Sequence, residues 1–253
     1  MSGTNRAAIV SALFLITSAT HAAVVVDLTM AGSSGTINSA IFQQFSPQPT
    51  GTGVLNTFLR IQNDSAEQGY NTDFRKVEFD QTNDIHTRSL LLSEIPKVTL
   101  SGVLYREFLL DINESNNTPL LSLNDVQLFI RSQPDLATYA NLGTPIYKMD
   151  AGGNNSVKLD YSLNSGSGSG DMVMYVPDAL FDAANGSYVY LYSRLGQPIP
   201  GDSSDVSSDA GFEEWSAGKK GPRGTIVPVT VPEPTSMSLL ILGAAGLIRR
   251  RGR

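Results

Sequence analysis

Acids, one retained histidine and a row of tyrosines are the side chains in this sequence that could do chemistry. No cysteine occurs among the 253 residues, which excludes thiolate nucleophiles, cysteine metal sites and disulfides together. Histidine occurs only as His21 and His86. A three-histidine metal site is therefore excluded. His21 falls in a segment expected to be removed, so His86 is the one imidazole open to a Ser-His-Asp triad, and no GxSxG elbow accompanies it. His86 reads more simply as a strand-edge residue in the polar stretch 82–87. Paired carboxylates could cleave a sugar bond, which needs them roughly 5–10 Å apart across it. Glu107 and Asp111 share one face of a strand but stand about 13 Å apart at strand rise. Glu213 and Glu214 are adjacent and point to opposite faces. No catalytic residue is assigned on this basis, and a non-enzymatic protein is expected.

Calcium is the cofactor that the remaining acids suit, because it takes about 6–8 oxygens from Asp, Asn and carbonyl groups in loops. Asp111, Asn113 and Glu114 stand where a strand ends, Asn124 and Asp125 where another begins, and Asp202, Asp205 and Asp209 crowd a serine-rich loop. None of these stretches has EF-hand spacing, and solvated turn carboxylates are the simpler reading. The candidate ligands are Asp111, Asn113 and Asp125. Tyr188, Tyr190 and Tyr192 share a strand face. They would stack on sugar rings if exposed and form core if buried, the choice that strand preference favours. Gly166–Gly170 lacks the lysine of a phosphate loop.

The elements that must position these residues are strands. Apolar side chains recur with period two. Val103, Tyr105, Glu107 and Leu109 alternate with Leu104, Arg106, Phe108 and Leu110, and Val157, Leu159, Tyr161 and Leu163 alternate with polar residues. Further strands are expected at 24–30, 57–62, 75–80, 87–92, 97–100, 126–131, 146–150, 172–176 and 188–193, with 211–215 closing the fold. About ten short strands between Asn, Gly, Asp and Pro turns predict an all-β protein. Its form would be one β-sandwich over 23–217, the jelly roll being one arrangement of it. One helical turn is expected at 178–184, with Asp178 capping it or sitting in its first turn.

Both ends read as addresses. Arg6, the apolar run 7–17 and small residues at Thr20 and Ala22 form a secretory signal helix over 1–22, cut between Ala22 and Ala23. Residues 218–230 are rich in Gly and Pro and read as a linker. The apolar run 235–248 is a short membrane helix closed by Arg249, Arg250 and Arg251, a cluster that stays cytoplasmic. Everything upstream would then lie outside the cytoplasm, as the signal peptide also requires. Between these ends, 23–232 holds 13 Lys and Arg against 23 Asp and Glu. That acidic body argues against nucleic-acid binding, which needs basic patches to meet phosphates.

Val231, Pro232, Glu233 and Pro234, followed by an apolar helix and an arginine cluster, resemble the PEP-CTERM sorting signal over 231–253. The prolines keep this stretch extended and open to a processing enzyme. The resemblance implies sorting by an exosortase, a membrane-embedded cysteine transpeptidase, in Gram-negative-type bacteria that make exopolysaccharide. It implies transient anchoring in the inner membrane and a final place in the cell envelope, on the outer surface or in the biofilm matrix. Within the body, 67–73, 105–113 and 164–172 resemble a recurrent ectodomain of PEP-CTERM proteins that brings no assigned catalytic residues. The expected function is a non-enzymatic envelope or matrix protein with exopolysaccharide as a partner. The alternative is a calcium-dependent carbohydrate-binding or adhesion module.

Overall fold

The computed structural model describes residues 22–45, 55–166, 170–182, 186–209, 211–220 and 226–227, without side-chain detail at 219, 220, 226 and 227. The signal helix, most of the linker, the sorting segment and the arginine cluster lie outside these residues. Ala22 and Ala23 are exposed coil just ahead of the first strand.

Strands dominate the described residues: β1 (Val25–Asp27), β2 (Ser34–Ile37), β3 (Ala40–Gln44), β4 (Leu55–Ile61), β5 (Asp64–Ser65), β6 (Glu67–Tyr70), β7 (Leu90–Leu91), β8 (Lys97–Leu100), β9 (Val103–Asp111), β10 (Leu120–Arg131), β11 (Tyr147–Lys148), β12 (Ser156–Asp160), β13 (Met172–Pro177), β14 (Tyr188–Leu195), β15 (Ser208–Asp209), β16 (Glu213–Lys220) and β17 (Ile226–Val227). One sheet runs β1-β12-β10-β14-β6, with β11 on β10 and β7 on β14. The other runs β17-β16-β9-β13-β3-β2, with β4 on β16 and β8 on β9, and β5 pairs with β15 apart from both. Phe42, Phe58, Phe108, Met174 and Trp215 of the second sheet pack against Leu123, Leu128, Val157, Val189 and Leu191 of the first in one apolar core. This is the all-β sandwich that the alternation predicts.

Strand β10 shows how the pattern is kept. Leu121 and Leu123 face the core at odd positions, and Val126, Leu128 and Ile130 face it at even ones. The parity changes because the register against β14 shifts between Leu123 and Asp125, so one extra residue turns the following side chains over. Asn124 is that residue. Its Oδ1 accepts from the Gln197 N–H at 2.8 Å and its Nδ2 donates to the Gln197 carbonyl at 3.0 Å.

Both sheets are covered on their outer faces as well. Tyr70, Phe129, Tyr190 and Tyr192 form a separate cluster with Leu142, packed by Phe79 and Tyr139. The Tyr139 and Tyr192 ring centroids are 4.7 Å apart. Phe79 therefore corrects one expectation: 75–80 is not a strand but a loop. It lays Phe79 on this cluster, and Asp80 accepts from the Gln68 N–H at 3.0 Å. The expected strand at 87–92 shrinks to β7, because a 3-10 turn starts at Leu92 and Glu94 accepts from the Leu91 N–H at 2.8 Å. β2, β3 and β6 are polar enough that alternation alone does not mark them.

The helix α1 (Ala179–Asp182) is a single turn. Asp178 precedes it, but its carboxylate is taken by cations. Oδ1 accepts from Arg106 Nε at 2.7 Å and Oδ2 from Lys97 Nζ at 2.8 Å. Arg106 Nη1 also donates to the Leu92 carbonyl at 2.6 Å, so this group ties β8, β9 and β13 to the 3-10 turn. Partial burial raises the Asp178 pKa, but the Lys97 and Arg106 bonds outweigh it and hold the carboxyl below its ordinary value. A depressed folded-state pKa contributes stability above the unfolded pKa and loses it as pH falls. Asp178→Asn should therefore cost about 3 kcal/mol at neutral pH, because it strands the buried Arg106 charge. Chemical denaturation should show that gap closing below roughly pH 4 as the wild-type carboxylate takes a proton.

Candidate functional site

Four acids meet at one corner of the sandwich. Glu67 lies on β6, Glu114 follows β9, Asp209 ends β15 and Glu213 opens β16. Their convergence depends on a close chain crossing. A Cβ at Gly211 would overlap the Asn113 carbonyl, so only glycine lets the segment entering β16 pass the end of β9. Period-two alternation then turns Glu213 inward beside Trp215 and Glu214 outward. Glu213 and Trp215 are both fully buried. Glu214 pairs with Arg60 Nη2 at 2.8 Å, and Arg60 stacks over Phe212 at 4.4 Å.

The acids form two pairs. The Glu67 and Glu213 carboxyls are within hydrogen-bonding reach of each other, and so are those of Glu114 and Asp209. Glu67 Oε2 accepts from the Asn63 N–H at 2.9 Å, and Glu114 Oε2 from the Asp209 N–H at 2.9 Å. Asp209 is well supplied. It accepts from the Ser115 N–H at 2.9 Å and from the Thr118 hydroxyl. Against the cost of partial burial, these donors hold its carboxyl below the usual range. The glutamates differ. Glu67 Oε1, Glu114 Oε1 and both Glu213 oxygens are buried and meet no hydrogen-bond donor among the described residues. No described Lys, Arg or His forms an ion pair with them.

Burial without a counter-charge disfavours the ionised form. It raises Glu67, and it raises Glu213 well above its ordinary value, where the Glu67 carboxyl and the charges of Glu67 and Glu114 add to it. Glu114 is pushed up to about 8 by burial, with the Asp209 carboxyl adding to the effect. Such a corner can hold shared protons.

The residues singled out in the sequence are distributed differently. Asp111 and Asp125, two of the candidate calcium ligands, stand on different sheets. Asp111 is on β9, where Oδ1 accepts from the Gly170 N–H at 3.1 Å. Asp125 is on β10, opposite Arg194, and accepts from Gln127 Nε2 at 2.6 Å. The Asn113 side chain accepts from the Tyr161 hydroxyl at 3.3 Å. Among the described residues no three acidic or histidine side chains converge tightly enough to hold a metal alone. Asp202 pairs with Lys158 at 2.7 Å and Asp205 with the Ser207 hydroxyl at 2.6 Å, so the serine-rich loop does not gather its acids. His86 is part-exposed, with Nδ1 3.7 Å from Glu214. Tyr190 and Tyr192 are buried and Tyr188 is half-buried, under loops rather than in the inter-sheet core.

Glu114, Asp209 and Glu213 are candidates in the sequence through pairings along the chain, whereas Glu67 stands there only within the 67–73 resemblance. No local signal marks Glu67, because β6 is too polar for alternation to reveal it. An open cleft of about 730 Å³, lined by Leu91, Ser93, Pro96, Lys97, Arg106 and Ser187, lies elsewhere, and Asp178 already balances its cations.

Residues 230–253 match the family model of the PEP-CTERM protein-sorting motif. No curated protein and no solved structure matches the chain. The motif is recognised by exosortase, a membrane processing enzyme, and it marks the chain as an exported, exosortase-sorted protein of the cell envelope.

The close crossing generates a stability test. Gly211→Ala should cost at least about 3 kcal/mol, since backbone must move to admit the methyl group. Gly102→Ala makes the comparison. Gly102 has φ +83° but open space around it, and it should cost only about 1–2 kcal/mol. Urea unfolding of both variants measures the difference.

Proposed function

We propose that the exported domain acts as a non-catalytic component of the envelope or extracellular matrix, associated with exopolysaccharide, in a Gram-negative-type bacterium. The sorting motif at 230–253 carries this reading. The arrangement of reactive side chains supports it. His86 faces Glu214, which is bound to Arg60. Glu213 and Glu214 point to opposite sides of β16, so they do not flank a common space for a substrate. The acids at the buried corner are enclosed by protein, whereas a glycosidase needs its pair open to a sugar and to water.

The delivery route follows from the chain's own residues. Pro232 and Pro234 carry no backbone N–H, and a residue before proline is biased toward extended backbone, the form in which a transpeptidase would bind Glu233. Arg249, Arg250 and Arg251 resist translocation and hold the apolar run in the membrane until it is cut. The alternative, a calcium-dependent carbohydrate-binding module, has one observation in its favour, the buried acids without counter-charge. Its stacking platform is not supported, since Tyr190 and Tyr192 are covered.

Mass spectrometry of the protein from cell and medium fractions of its own host tests the reading. The mature chain should begin at Ala23 and end near Val231–Pro234, without the arginine cluster. Pro232→Ala with Pro234→Ala should leave the full tail and hold the protein in the membrane. A wild-type product that keeps Arg253 in the membrane would overturn processing, and turnover of a polysaccharide by the purified protein would overturn the non-catalytic role.

A further inference from the structure

We propose that β17 is a releasable clasp on the sorting motif: seated on β16 it holds residues 231–234 close to the domain, and it must leave β16 before the exosortase can reach them. The clasp presupposes the processing proposed above and adds the condition under which it occurs. Composition marks 218–230 as a linker, yet every described residue of that span lies in β16 or β17. The two ends of β16 are held differently. Trp215 and Ala217 belong to the inter-sheet core, and Ser216 pairs with Leu109 of β9 and Thr57 of β4. Beyond them the strand changes. Gly218 has φ +64°, a left-handed conformation that suits glycine, and the register against β4 shifts between Ser216 and Lys219. β9 pairs no further than Ser216. β17 takes the next stretch of β16, with Lys219 opposite Val227 and Lys220 opposite Ile226.

Lys219 also pairs with Leu55 of β4, so β16 stays in its sheet when β17 leaves. A strand held by two residue pairs is a small unit, and such edges open locally while the core stays closed. Opening changes the reach of the chain. Three residues, 228–230, separate Val227 from Val231, and four extended steps span at most about 14 Å. A compact domain of about 200 residues has a radius of roughly 20 Å. With β17 seated, the motif is therefore tied to the domain by less than the domain's own radius, while the apolar run after it is tied to the membrane. A membrane-embedded enzyme would have to enter that gap and lay the chain across its active site. Once β17 is released, the free chain starts at Lys220, and eleven steps to Val231 reach about 40 Å. The motif then clears the domain with the rest of the sandwich intact.

A covalent lock tests the clasp. Lys219→Cys combined with Val227→Cys places two thiols on opposed residues, and the chain has no cysteine of its own. Opposed residues of antiparallel strands stand roughly 4.5–5.5 Å apart, inside the range of about 4.4–6.8 Å that a disulfide spans. Outside the cytoplasm the pair should oxidise, which thiol labelling with and without reductant reads. Pulse-labelled in its own host, the full chain carrying this lock should be cut at 231–234 at least about tenfold more slowly than wild type, because the competent fraction falls. Mild reductant should restore the rate. Inserting about eight Gly and Ser residues between Thr230 and Val231 should also restore it, since the motif regains reach with β17 still locked. Either single cysteine substitution should leave the wild-type rate. A locked chain cut as fast as wild type would overturn the clasp. So would a lock that slows the lengthened chain equally, or a cysteine pair that never bonds. A wild-type chain that is never cut would overturn the processing reading itself, and the clasp with it.

Discussion

Leu121 and Leu123 can face the same core as Val126, Leu128 and Ile130 only because β10 carries one residue more than its partner β14 at Asn124. That change of parity governs much of the sandwich. β10 is the central strand of its sheet, bonded to both β12 and β14, so its inward row decides what the facing sheet can pack against. Without the bulge, half of this row would point outward and the core would lose several Leu, Val and Ile side chains, each contributing about 1.5–3 kcal/mol on full burial. Asn124 stabilises the irregularity locally with two hydrogen bonds to Gln197. The same shift carries Asp125 to the opposite side from Val126, opposite Arg194 and next to Gln127, which is one reason it does not join Asp111.

Around that core the charged groups fall into two kinds. Asp178 with Lys97 and Arg106, and Glu214 with Arg60, are acids that meet cations at the margins of the sheets. They fasten neighbouring strands. Glu67, Glu114 and Glu213 are turned inward where no described cation reaches them. Burial without a cation favours their protonated forms, which makes this corner one place where pH acts on the fold.

The outer faces add a second constraint. The tyrosines of β14 would be a ready surface for sugar rings on a bare sheet. Loops from 71–80 and 132–142 cover them with Phe79, Tyr139 and Leu142, and polar bonds seal the cover, with the Tyr190 hydroxyl donating to the Gln133 carbonyl at 2.7 Å. The sheet is therefore buried on both sides, and its tyrosines act in packing.

The sequence by itself determined the all-β class, because period-two alternation is a local property that each strand displays independently. It also determined the sorting signal, since that signal is linear: a proline pair, an apolar run and an arginine cluster need no fold to be recognised. The opposed directions of Glu213 and Glu214 were legible for the same local reason. Tertiary structure alone decided which acids meet. Glu67 and Glu213 are 146 positions apart, and their contact depends on strand order, on the register of β6 against β14, and on the glycine crossing at Asn113. None of these leaves a mark in the residues nearby. Phe79 gives the same lesson in reverse: a strand-like composition became a covering loop because a neighbouring aromatic face offered more burial than a sheet edge. Pairing across strands is a non-local choice, set by which faces the whole chain must hide, and it is there that composition and spacing cease to decide.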